Sequence, residues 1–88
     1  MPIISTFFGI VIRMYFNDDE QHHTPHFHAK YGEFEASFDL DGNLIVGEFP
    51  KKQTKYIVAW ADIHHDELRA LWDIMQSDDE YYKIKGLE

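Results

Sequence analysis

His26-Phe27-His28-Ala29-Lys30-Tyr31-Gly32-Glu33-Phe34-Glu35-Ala36-Ser37-Phe38-Asp39-Leu40 is the stretch that decides the architecture. Residues 26–31 and 33–40 each alternate in polarity with the period of two that a half-buried strand shows and a helix does not. Pro25 cannot donate a ladder hydrogen bond, so the first strand starts at His26. Tyr31-Gly32 reads as a two-residue turn, which pairs Lys30 with Glu33, His28 with Glu35 and His26 with Ser37. The same alignment sets Phe27 against Ala36 and Ala29 against Phe34, so both faces agree on one register. His26, His28 and Lys30 then point away from the face that carries Phe27.

Working outward, Asp41-Gly42 is a second turn signal, and residues 44–49 form a further strand that stops before Pro50. Upstream, residues 3–16 are apolar at nearly every position, without a helical stripe. They read as one long strand covered on both faces, with Gly9 as the position for a bulge that divides it. Phe8, Ile10, Ile12, Met14 and Phe16 form its apolar face. Phe7, Val11, Arg13 and Tyr15 form a mixed face beside His26 and His28, and this exposed patch is expected to be an interface. Residues 17–21 are polar throughout and read as a solvated connection.

From residue 51 to 77 the period changes. At 100° per residue, Ile57, Trp60, Ala61, His64, Leu68, Leu71, Trp72 and Met75 fall on one stripe, as in a single long amphipathic helix. The expected class is α+β: an antiparallel meander of about four strands packed on that helix. The predicted core comprises Phe34, Phe38, Ile57, Trp60, His64, Leu68, Leu71 and Trp72. Residues 78–88 form a tail, in which Tyr81 to Ile84 has the composition for a short edge strand.

With 88 residues, the chain is read as a single domain, residues 1–88. Seven Phe, five Tyr and two Trp exceed what a disordered chain carries. A formal charge of −8 opposes direct nucleic-acid binding and attachment to anionic membranes, both of which rest on clustered Lys and Arg. The longest apolar run is too short to span a bilayer, and no basic region follows Met1-Pro2, so a cytoplasmic location is expected. Without cysteine, any metal must be held by imidazole and carboxylate.

Four of the six histidines, His22, His23, His26 and His28, fall within seven residues. The sharper reading of this cluster is a divalent-metal site. His26 and His28 share a strand face, Glu35 supplies a carboxylate from the paired strand, and His23 or His22 completes the set from the loop. Two imidazoles and a carboxylate suit Zn, Fe, Mn or Ni and leave positions open for water. A related reading makes His28 a general acid–base group poised by Glu35, with an anion held by Arg13 or Lys30. The plainer reading is a polar outer strand face.

Pro25-His26-Phe27-His28, Lys52-Gln53, Ala59-Trp60, Ile63-His64, Glu67-Leu68, Trp72 and Lys83-Ile84 together resemble the uncharacterised bacterial family named domain of unknown function 4160. The resemblance spans nearly the whole chain, although Gly86 stands where a proline is expected and Leu71 where asparagine is common. It implies a bacterial, cytoplasmic protein, often encoded beside a second small protein in a toxin–antitoxin-like arrangement. It implies no activity. Two functions are therefore expected in competition. One is a non-enzymatic interaction module that binds a small protein partner or forms a homodimer. The other is a metal-dependent hydrolase or nuclease-like enzyme built on His26, His28 and Glu35.

Overall fold

The computed structural model describes residues 2–16, 24–78 and 80–88. It contains β1 (Ile3–Phe7), β2 (Ile10–Arg13), β3 (His26–Tyr31), β4 (Phe34–Asp39) and β5 (Leu44–Gly47), followed by α1 (Lys51–Ile63) and α2 (His65–Ser77). The strands form one antiparallel sheet in sequence order, with β1 and β5 at its edges. The class is α+β, as expected, but among the described residues there are five strands rather than four and two helices rather than one.

The additional strand arises at Phe8-Gly9. Both residues have positive φ, 49° and 78°, the geometry of a tight hairpin turn whose twist matches that of its flanking strands. Residues 3–16 therefore do not continue as one bulged strand: the chain reverses and pairs Phe7 with Ile10. A two-residue turn puts the residues on either side of it on the same face, so Phe7 joins Ile10 and Ile12 in the core and has no exposed surface. Its expected place in an interface is corrected on that ground. Val11, Arg13 and Tyr15 remain half-buried on the other face.

The expected long helix breaks at His64, whose backbone (φ −107°, ψ 23°) leaves the helical region. Asp66 and Glu67 lie in the first turn of α2, where carboxylates favour a helix start by facing its unpaired N–H groups. The apolar stripe survives the break. Ile57, Trp60, Leu68, Leu71, Trp72 and Met75 are buried together with Phe7, Phe27 and Phe38 of the sheet. Trp60 is central to this core, with ring centroids 5.2 Å from Phe7 and 5.5 Å from Phe27.

Two core expectations fail. Phe34 is 42% exposed, because it lies at the hairpin tip beyond Ala29 and Ala36, the last buried pair on that face. His64 is only partly buried, since its place at the helix break directs Nδ1 to Glu67 Oε1 at 2.6 Å.

The C-terminal segment lies along the free edge of β1. Ile84 N–H donates to Ile4 O (2.7 Å), and the Trp60 indole N–H donates to Lys85 O (2.9 Å). Phe8 N–H donates to the Glu88 carboxylate. Ile84 is buried by this seating. Residues 81–84 do not extend the ladder as a strand, yet they cover the edge that such a strand would have occupied.

Candidate functional site

The β3–β4 hairpin sets the geometry of the site. Its loop is Gly32-Glu33, with Tyr31 paired to Phe34, so the register lies two residues from the one expected. Gly32 carries the positive φ of 58°. Glycine in the first loop position suits a II′-type turn, whereas a Tyr31-Gly32 loop would ask a bulky residue to take the left-handed region. A shift of two preserves every face assignment and changes every partner.

As a result, His28 faces Ser37, His26 faces Asp39 and Lys30 faces Glu35. Lys30 Nζ is 3.4 Å from Glu35 Oε1, and both side chains are more than half exposed. The expected arrangement of His26, His28 and Glu35 about one metal is thus not assembled: the carboxylate lies one pair further along the ladder and faces an ammonium group. Among the described residues no group of three or more His, Asp or Glu side chains could hold a metal ion. His22 and His23 lie outside the described residues.

The two strand histidines differ in their surroundings. His28 Nδ1 is 3.1 Å from Ser37 Oγ, and its ring stacks on Tyr15 at 4.4 Å. His26 is only 5% exposed, and its ring lies 5.2 Å from Trp72 and 5.1 Å from His28. Its Nδ1 lies 2.7 Å from Thr24 O. A carbonyl only accepts, so Nδ1 is the donor in this contact.

His26 was expected to point away from the helical layer, and instead it touches α2. It opens β3 at the end of the sheet, where α2 is anchored by Gln76 Nε2 donating to Tyr15 O (3.1 Å). His26 and Trp72 thus meet at that end, both almost fully buried. The other two histidines stand apart from this pair. His64 contacts Trp60 and Glu67, and His65 Nε2 lies 3.2 Å from Asp41 Oδ1.

Cross-strand pairing arranges the outer face in rows. One runs Ile3, Arg13, His28, Ser37, Val46, and its neighbour runs Thr6, Val11, Lys30, Glu35. Between them lies an open depression of about 260 Å³, bounded by Arg13, Tyr15, His28, Lys30, Glu35, Ser37 and Val46. That is below the roughly 300–1,000 Å³ of small-molecule sites, so it accommodates an ionic group rather than a large cofactor. Sequence reasoning sets Ser37 opposite His26, whereas it pairs with His28. The first-position glycine of the turn was the signal that would have placed it beside His28.

At the far edge, β5 presents apolar side chains to solvent. Leu44, Ile45 and Val46 are 51%, 49% and 64% exposed. Gly47, with φ 98°, closes the strand where a Cβ would meet Ala36 Cα at 2.9 Å and the carbonyl oxygen of Glu35. Only glycine permits that approach. Among the described residues no helix is long and apolar enough to cross a membrane.

The family model described as Domain of unknown function (DUF4160) matches residues 9–73 of the chain. No curated protein and no solved structure matches it.

Proposed function

The chain belongs to this family, whose description carries no activity, and from its geometry we propose that it is a non-enzymatic interaction module that docks a second, small protein along β5. The observation that carries this reading is the exposure of Leu44, Ile45 and Val46 on an edge strand, with Phe34 of the adjoining strand 42% exposed as well. Apolar side chains gathered on one rim favour association, because covering them removes their surface from water. At the opposite edge the backbone of β1 is already engaged by the chain's own C-terminal segment, through Ile84 N–H and Ile4 O.

The mode of docking follows from the form of β5. It has four residues, and its pairing to β4 shifts register between Ser37 and Phe38, which leaves Ile45 unpaired in the ladder. Short length and a bulge both discourage ladder extension. Contact is therefore through side chains rather than by addition of a strand.

Charge narrows the occupant. At a formal −8, two copies of this chain repel each other, whereas a partner with a basic surface is steered toward it. This favours a small heterologous protein over a homodimer. It agrees with a bacterial, cytoplasmic, toxin–antitoxin-like pair in which the neighbouring gene encodes the partner. Co-expression with that gene product, followed by light scattering on the purified material, tests the reading. The expected result is a heterocomplex that Val46→Lys weakens. Recovery of free monomer alone would count against it.

A further inference from the structure

The outer-face depression carries a further inference, because two cations, Arg13 and Lys30, line it against one carboxylate, Glu35, in a chain with twice as many acidic as basic residues. Among the described residues, the lysines that make no ion pair, Lys51, Lys52, Lys55, Lys83 and Lys85, are all exposed to water. Lys30 has Glu35 at 3.4 Å, and Arg69 has Asp73 at 3.6 Å. Arg13 is half-buried, yet among the described residues no ion pair engages its guanidinium. Withdrawing a guanidinium from water without a counter-charge is costly. An arginine held in that position is suited to receiving its anion from outside.

The surroundings complete such a site. Arg13 lies directly opposite His28, and His28 opposite Ser37, whose hydroxyl lines the same depression. Lys30 lines it too, and its pairing with Glu35 is exposed enough to be shared with an incoming anion at little loss. Val46 and Tyr15 form the less polar walls, which strengthen any charge interaction made between them.

We infer that this depression is a binding site for a small oxyanion, a carboxylate or phosphate group, with Arg13 as its principal ligand and Lys30 and Ser37 in support. A planar guanidinium can engage either group through two parallel hydrogen bonds, which neither lysine nor histidine offers. The volume suits one such group.

The test is a nitrogen-15 NMR titration of the full chain with inorganic phosphate and, separately, sodium succinate. Ionic strength is held constant with chloride, because screening alone moves exposed resonances. The expected result is saturable movement of the Arg13 Nε–Hε signal and of the His28 and Ser37 amides with at least one of the two, and the responding anion identifies the class. Arg13→Gln should weaken binding about tenfold or more, whereas Arg69→Gln should bind as the parent does. Absence of saturable shifts with both anions in the folded parent chain would overturn the inference, whatever becomes of the variants. Undiminished binding by a folded Arg13→Gln protein would overturn it as well.

Discussion

His28 meets Ser37 across the β3–β4 ladder, with Nδ1 3.1 Å from Oγ. Glu35, the residue that alternation and an assumed turn had set opposite His28, faces Lys30 instead. Two substitutions separate these registers by their cost. Ser37→Ala removes a mostly buried hydrogen bond and should destabilise the fold by about 1 kcal/mol. Glu35→Gln alters an exposed ion pair and should cost less than about 0.5 kcal/mol. Urea denaturation of both variants checks the order, and a larger loss at Glu35 would argue for the other register.

Gly47 gives a sharper test of how β5 is held. Alanine there would take φ 98° and bring its Cβ to 2.9 Å from Ala36 Cα, so the β4–β5 pair would have to part. Gly47→Ala should cost about 2 kcal/mol or more. Amide exchange in β5 should accelerate more than exchange in β2. Uniform behaviour across the sheet would mean that β5 is not pinned at that point.

The C-terminal segment is expected to be structural. Removing residues 81–88 would take away the carbonyl that accepts from Trp60, uncover Ile4 O and expose Phe7. An unpaired buried indole N–H costs about 1–3 kcal/mol by itself, and the lost burial of Ile84 adds about 1.5–3 kcal/mol. The truncated chain should melt at a clearly lower temperature and self-associate through the bared β1 edge. An unchanged melting curve and a monomeric elution profile would contradict the seating of this segment.

How much of this was legible in the sequence depends on which residues carry the signal. Phe27, Ala29, Ala36 and Phe38 were assigned to the inner face, and a register error of two residues left that intact because strand faces repeat every two. The partners were lost to a single misplaced turn. The hairpin at Phe8-Gly9 was not read because phenylalanine seldom adopts φ 49°, and only tertiary contacts such as the packing of Phe8 on Tyr56, 4.8 Å between centroids, show what accompanies it. The burial of His26 was hidden for a different reason. Alternation assigns a side chain to a face, but it cannot show that at the first residue of a strand the ring meets Trp72 of α2.

Alternation sets His26 and His28 on one strand face, and their ring centroids lie 5.1 Å apart. Glu35 does not face His28, since that pairing followed from the turn. Val11, Arg13 and Tyr15 lie on the outer face, as alternation predicts, whereas Phe7 does not because the hairpin inverts its parity. The exposed rim of β5 could not be foreseen from Leu44, Ile45 and Val46 alone. Three consecutive apolar residues predict burial on both faces, and only the order of the strands shows that nothing further in the sheet covers them.

The most direct measurement of the central claim is amide hydrogen exchange in β5, compared between the free chain and the chain co-purified with the product of the neighbouring gene. Docking along β5 predicts slowed exchange at Leu44, Ile45 and Val46 in the complex, with α1 and the C-terminal segment little changed. A stable complex in which those three amides exchange as fast as in the free chain would contradict it.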